Sequence, residues 1–403
     1  MRITAVAGNC RRGLPGWAAL VGMVMLAAVT AGLAAGGRPV QAAVRHLPGA
    51  RTLDTISPAG ELGSVSAVSP ADVWVAGVHD VTSKDAAEPL VLHWNGTTWM
   101  TLKTPVFAGR VQTSLDGLSA LSPTDAWVAG YYGIGAYHPL ILHCNGTACQ
   151  QVTTPILRGI GTALYGVSAV SPTDVWVAGA ANGGNARLML HWNGQAWMRV
   201  ATPAPSGAQD TALFGVSADS PTDAWAAGSY LLPGGTGGPM MLHWNGNAWT
   251  LAKAPAIGGA PLGADAISAV SPTDVWAAGT YSVSDQAIVR WDGKTWTQMK
   301  IPAICETSCL YGVSAVSPTD AWTAGSSYST GPYKRLILHC NGTACTRAKS
   351  PVLGQTQMLF GVSADSPIDA WAVGGYGSGK SLDKVLILHW DGTTWTQVSP
   401  TGS

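Results

Sequence analysis

Between residues 164 and 203 the chain divides into four short apolar runs separated by turn words. Residues 164–170 alternate small apolar and polar side chains, and residues 175–179, 188–192 and 197–200 form the next three runs. Each has strand length, and alternation of this kind predicts half-buried β-strands. Ser171-Pro172-Thr173-Asp174 separates the first two runs and Asn193-Gly194 the last two. Proline sets the backbone angle of such a turn, and an Asp or Asn side chain accepts a backbone N–H within it. Nowhere does the chain show a long stretch of helical period.

The same four runs recur seven times. The turn carboxylate is Asp72, Asp125, Asp174, Asp223, Asp274, Asp320 and Asp369, and two residues after each stands Trp74, Trp127, Trp176, Trp225, Trp276, Trp322 or Trp371. Successive Trp positions lie 53, 49, 49, 51, 46 and 49 residues apart. A period near fifty is the mark of a repeat architecture. Seven sets of four strands predict an all-β fold, a seven-bladed β-propeller with four antiparallel strands per blade. The small residues of the first run, such as Gly166-Val167-Ser168-Ala169, place it innermost, where blades crowd at the axis.

The second hairpin is edited in pairs. Five copies carry Trp at both ends, as in Trp94-Asn95-Gly96-Thr97-Thr98-Trp99, whereas Cys144/Cys149 and Cys340/Cys345 replace both in two copies. Joint replacement implies that the two positions face each other across a four-residue loop, clasped by an aromatic pair or a disulfide. His93, His143, His191, His243, His339 and His389 precede this hairpin, with Arg290 in the fifth copy. Residues that follow the frame so closely read as frame, as do the seven turn carboxylates.

Composition agrees with this reading: fifty Gly, twenty-five Pro and 11% charged residues do not suit a helical protein. A formal net charge of zero gives no reason to expect nucleic acid or an anionic membrane as partner. Arg2, Arg11 and Arg12, an apolar run from Trp17, and Val40-Gln41-Ala42 fit an export signal over residues 1–42, with an uncleaved anchor as the alternative. A secreted or cell-surface, disulfide-bonded monomer follows. The expected bridges are Cys144–Cys149, Cys305–Cys309 and Cys340–Cys345, since the spacings lack the two-residue gap of common zinc pairs. In the remaining N-terminal segment, residues 43–61, the stretch 52–57 resembles the fourth strand around Trp395 and is expected to cover the outer edge of blade seven, ahead of a propeller over residues 62–403.

The SPTDVW and HWNG-x-x-W words resemble the repeats of secreted bacterial kelch-like and galactose-oxidase-central-domain-like propellers, and the strand order also resembles WD-repeat blades. The resemblance implies fold and carries no catalytic motif. The copper-ligand pattern of a galactose oxidase is not recognisable, the sialidase Asp box lacks its Gly, and the chain contains only three Glu. No metal, cofactor or catalytic residue is assigned.

The leading expectation is a non-catalytic propeller that binds a glycan or a protein. Eight of the ten Tyr fall in the stretch between the second and third runs: Tyr131, Tyr132, Tyr137, Tyr230, Tyr281, Tyr328, Tyr333 and Tyr376. Gly and Ser surround them, a composition that recognition loops use. The rivals are a polysaccharide hydrolase or lyase with acidic residues at the channel mouth, and a structural cell-surface module. For the first rival, Asp219 and Asp365 replace an apolar residue near the end of the first run in blades four and seven.

Overall fold

A computed structural model describes residues 60–81, 86–107, 111–155, 161–254, 263–280, 286–304, 307–328, 331–379 and 382–400. The expected signal over 1–42 and the edge strand at 52–57 lie outside the described residues. Twenty-eight strands form seven four-stranded antiparallel sheets, each in sequence order. Blade three shows the plan: Ala163–Ser171, Asp174–Ala181, Ala186–Trp192 and Trp197–Arg199. The first strand of blade one begins at Gly60, two residues before the expected start of the repeat. First strands pack against first strands all the way round, β-sheet to β-sheet, so they are the innermost.

The core lies between the blades. Trp127, Ala129 and Ile141 of blade two pack with Leu164, Val167, Val177, Leu190 and Trp197 of blade three. Each second strand contributes one buried Trp, and the His of the third strand stacks on it, as Trp176 and His191 do at 4.0 Å. That His bonds the turn carboxylate: His191 Nε2 lies 2.7 Å from Asp174 Oδ1 and His93 Nε2 2.7 Å from Asp72 Oδ1. In blade five Arg290 takes both roles, with Nε 2.6 Å from Asp274 Oδ1 and its guanidinium carbon 6.0 Å from the Trp276 ring centroid. One Asp thereby ties the first turn of a blade to its third strand across a buried ring.

The hairpin pairs face each other in register, Trp94 opposite Trp99 and Cys144 opposite Cys149. Cys144–Cys149 and Cys340–Cys345 are disulfides. Cys309 is also disulfide-bonded, and Cys305, its expected partner, lies outside the described residues. Each Trp pair docks on the frame Trp of the preceding blade. Trp192 and Trp197 each lie 5.6 Å from Trp127, and Trp244 and Trp249 lie 5.0 and 5.2 Å from Trp176.

A belt of seven hydrogen bonds runs around the innermost strands. Ala120 N–H donates to Ser66 Oγ, Ala169 to Ser119, Ala218 to Ser168, Ala269 to Ser217, Ala315 to Ser268, and Ala364 to Ser314. Ala67 N–H donates to Ser363 Oγ, which closes the circuit between blades one and seven. The Trp94/Trp99 pair completes the seam by packing on Trp371 at 6.3 and 5.8 Å. Blade seven is built wholly from its own four consecutive strands, Thr356–Ser366 to Trp395–Gln397.

The two faces of the ring differ. On one, the Asn-Gly hairpin turn rests on the Ser-Pro turn of its own blade. Gly194 has φ +86°, and a Cβ there would come within 2.8 Å of Thr173. Asn193 Oδ1 accepts the N–H groups of Gln195 and Ala196, which fixes the turn. The opposite face carries the second-to-third connections and the crossings between blades, joined by bonds such as Thr162 N–H to Tyr137 O and Gln357 N–H to Tyr333 O.

Candidate binding surfaces

The Tyr residues gather on the variable face, but they do different things there. Strands run further than the sequence suggested, so Tyr131, Tyr132, Tyr230, Tyr328 and Tyr376 end second strands, Tyr137 lies in the third strand of blade two, and Tyr333, among the described residues, sits in a connection. Tyr131 is buried, with its ring 4.8 Å from Tyr137. Tyr132 packs on the core between blades one and two and stacks on Phe107 at 4.3 Å. Tyr230 and Tyr376 likewise pad the cores beneath them, and Lys384 Nζ lies 5.9 Å from the Tyr376 ring centroid. Tyr328 is exposed and lies 5.0 Å from Tyr333, whose hydroxyl pKa is raised by burial and by Tyr328. Tyr281 lies outside the described residues.

Exposed aliphatic side chains occur on fourth strands, at Met100, Met198 and Leu251, at Val68 near the end of a first strand, and on the two faces. Val106 and Val352 in the crossings, and Ile134 and Leu231 in the second-to-third hairpins, stand out on the variable face. Val106 and Val352 are 76% and 81% exposed. On the uniform face Ile368 is the large aliphatic residue that projects from a turn, at 69%.

Asp219 and Asp365 each associate with the frame carboxylate of their own blade. Burial, then Asp223, raises the pKa of Asp219, and burial, then Asp369, raises that of Asp365. Burial, with a neighbouring like charge, produces this shift without a ligand.

Sequence reasoning overlooked a ring of residues on the innermost strands. In blade three Leu164 pairs with Gly179 and Gly166 with Ala178, so Tyr165 is a β-bulge. Asp116, Phe214, Tyr311 and Phe360 occupy the same bulge in blades two, four, six and seven, and Gly63 does so in blade one. Asp265 holds the equivalent place in blade five, between Ala264 and the strand Ala266–Ser271. A bulge re-aims a side chain and breaks the strand's alternation. Its sequence signal is a buried pair three apart, such as Leu164 and Val167 or Leu310 and Val313, where simple alternation puts both on one face only at even spacing. Rings on neighbouring blades meet: Tyr165 lies 5.7 Å from Phe214 and Tyr311 5.6 Å from Phe360.

Among the described residues no group of three or more His, Cys, Asp or Glu is placed to hold a metal ion, and no helix is long and apolar enough to cross a membrane.

No family model matches the chain, and no curated protein sequence does. Solved structures do resemble it. A xyloglucanase from Xanthomonas campestris aligns with a TM-score of 0.56 at 12% identity over 85% of this chain and 55% of that one. An ulvan lyase, a polysaccharide lyase bound to a GlcA(1-4)Rha3S chain, gives 0.53 at 10% identity over 85% and 97%. YCF48 bound to a D1 peptide gives 0.51 at 14% over 83% and 92%. What these proteins share with the chain is the fold. Identities this low leave their ligands and reactions with them.

Proposed function

We propose that the protein is a secreted, non-catalytic binding propeller of the kelch-like kind that takes a glycan or a protein ligand on its variable face. The observation that carries this is the division between the faces. The uniform face is built of turns whose polar groups serve the frame, whereas Val106, Ile134, Leu231, Val352 and the Tyr328/Tyr333 pair present apolar and aromatic surface on the other. Exposed aromatic and aliphatic groups among polar loops are what recognition surfaces use. That propellers of this shape include an ulvan lyase bound to a sugar chain and a YCF48 bound to a peptide supports both ligand classes.

Tyr131, Tyr132, Tyr230 and Tyr376 then serve the scaffold, and Tyr328, Tyr333 and Tyr137 meet the ligand. A glycan array and a peptide array with the full chain test this. Tyr328→Ala combined with Tyr333→Ala is expected to weaken capture by tenfold or more while shifting the thermal midpoint little. Capture that survives this double substitution, or turnover of a polysaccharide panel, would overturn the reading.

A further inference from the structure

The third and fourth strands are edited in pairs at a second place. Four residues before the frame His, or Arg290, and eight after it, Arg stands in two blades: Arg187 and Arg199 in blade three, Arg335 and Arg347 in blade six. The other blades carry Pro89, Pro139, Pro239, Gln286 and Val385 at the first position and uncharged residues at the second. Arginine therefore arrives at both positions together, and the frame needs it at neither. No Asp or Glu lies between Asp174 and Asp210, or between Asp320 and Asp365, the stretches that contain these pairs.

Arg335 is half-buried and bonds neutral acceptors. Its Nε donates to Ser350 Oγ at 2.7 Å, and its other N–H groups donate to Ser350 O and Gln357 Oε1. Arg347 lies against it, with Nη2 3.5 Å from Arg335 O. In blade three Arg187 Nε donates to Thr202 O at 3.1 Å and Nη1 to Thr211 Oγ1 at 3.4 Å. Among the described residues none of these four arginines forms an ion pair, whereas Arg290 does. Burial, then Arg347, lowers the pKa of Arg335, and burial, then Arg199, lowers that of Arg187. Two positive charges held together with no carboxylate opposite them attract an anion. Ser326 stands opposite Arg335 in register, 1% exposed, and its Oγ meets no hydrogen-bond partner among the described residues. Residues that face each other across two strands share a side of the sheet, so that side holds two guanidiniums and a hydroxyl with no anionic acceptor.

These groups lie where the variable face meets the outer edge of the ring. The third strand of blade six, Lys334–Cys340, starts directly after Tyr333, and the fourth, Cys345–Arg347, runs back toward that end. Gln357 ties the two features together, since its N–H donates to Tyr333 O and its Oε1 accepts from Arg335. Lys334, Arg347 and Lys349 are exposed. We propose that this end of blade six takes the anionic groups of an acidic polysaccharide, sulfate esters or uronate carboxylates, with Arg335 and Arg347 at the centre and Lys334 and Lys349 at the margin. This ligand class deepens the reading of the variable face as the binding surface and rests on it. A guanidinium fork fits a two-oxygen anionic group bidentately. The Tyr328/Tyr333 pair next to it offers a sugar ring an aromatic face, and Arg187 and Arg199 give a polymer that repeats its charge a second contact on blade three.

Biolayer interferometry of the full chain at low salt is the test, with dextran sulfate, polygalacturonate, unsubstituted dextran and poly-glutamate as probes. Because the formal net charge is zero, retention by a polyanion has to come from a local surface. Dextran sulfate or polygalacturonate is expected to bind and plain dextran not, and the tighter of the two acidic polymers tells sulfate from carboxylate. Arg347→Gln combined with Lys349→Gln, at two exposed positions, should weaken that binding about tenfold or more, the scale of a lost charge-assisted hydrogen bond. Removing two exposed charges elsewhere, Lys103→Gln with Lys253→Gln, should change it little. Failure of both acidic polysaccharides to bind the wild-type chain, an equal loss in the Lys103/Lys253 control, or tighter binding of poly-glutamate would each overturn the proposal. The comparison of polymers uses the wild-type chain alone, so it holds even where a variant fails to fold. Tyr328→Ala with Tyr333→Ala separates this proposal from the reading beneath it. Polyanion binding that needs Arg347 and Lys349 but survives the Tyr changes keeps the anionic site and removes the Tyr contact. Capture of a neutral glycan that needs the Tyr pair and survives the Arg347/Lys349 changes does the reverse.

Discussion

At the scale of single residues, the polar side chain that opens each Asn-Gly or Asp-Gly hairpin is spent on the turn. Asn95, Asn145, Asn193, Asn245 and Asn341 each accept two N–H groups of their own hairpin loop, and in blades five and seven Asp292 and Asp391 do the same work with a charge. The charge makes these two turns sensitive to pH. The Thr393 hydroxyl donates to Asp391 at 2.7 Å, and the N–H groups of Thr394 and Thr393 at 2.8 and 2.9 Å. Together they hold its carboxyl at about 2, and the N–H groups of Thr295 and Lys294 lower that of Asp292 in the same way. A carboxyl lowered on folding stabilises the folded state above its unfolded pKa, and that contribution is lost as pH falls through the folded value. The blade-seven hairpin therefore keeps its turn down to about pH 2. Carboxyl-detected NMR titration should find Asp391 near this value, and Thr393→Val should move it up toward an ordinary Asp. No movement would show that the hydroxyl bond contributes nothing.

At the scale of elements, the Cys hairpins show how the space between blades is kept filled. A disulfide is much smaller than two indoles, yet the Cys144–Cys149 bridge under Trp74 leaves no gap because Leu102 of blade one fills it, 4% exposed. Met299 does the same beside Cys340–Cys345 under Trp276. Where a Trp pair occupies the site, the corresponding residue is Val152, Val200, Ala252 or Ala348, each smaller and only half-buried. The narrower bridge also lets the preceding blade approach, so that Cys149 N–H donates to Lys103 O and Cys345 N–H to Lys300 O, both at 2.7 Å. A clasp of so short a loop contributes toward the low end of about 2–4 kcal/mol. Putting Trp at both 144 and 149 is expected to cost that plus about 1–3 kcal/mol of overpacking against Leu102. Leu102→Val should destabilise the native chain by about 1 kcal/mol yet stabilise the Trp-substituted one. Urea unfolding of the four proteins checks the change of sign, and equal effects in both backgrounds would refute the compensation.

At the scale of the whole molecule, the seam between blades one and seven is made of the same parts as the other Trp-paired junctions. Ser363 Oγ accepts Ala67 N–H at 3.0 Å, as Ser168 Oγ accepts Ala218 N–H at 2.9 Å, and the aromatic trio of Trp94, Trp99 and Trp371 matches those at the other Trp-paired junctions. Losing one such hydrogen bond costs about 0.5–1.5 kcal/mol. Ser363→Ala and Ser168→Ala are therefore expected to lower stability equally, within a few tenths of a kcal/mol by the usual spread for independent sites. A markedly larger loss for Ser363→Ala, followed by chemical denaturation, would show that the ring opens at its seam.

The sequence by itself determined the fold: strand count, blade number, the innermost run, the facing hairpin positions and the frame role of His and Asp are all visible because each is repeated. In blade three the observed strands fall within two residues of the runs read from alternation. Repetition says less about residues that interrupt the pattern, because their surroundings are set by neighbouring blades. Tyr131 and Tyr132 looked like loop residues, yet strand extension places both in the second strand, Tyr131 buried beside Tyr137 and Tyr132 stacked on Phe107, while Tyr328 stays exposed beside a half-buried Tyr333. Asp219 and Asp365 stand out in the sequence as replacements of an apolar residue, and the structure sets each beside its own blade's frame carboxylate. Only the tertiary structure showed that Tyr165 meets Phe214 and Tyr311 meets Phe360, because partners on different blades stand some fifty residues apart in sequence. Strand alternation is local and can be read along one blade, whereas the meeting of bulge side chains depends on how the blades are set around a common axis.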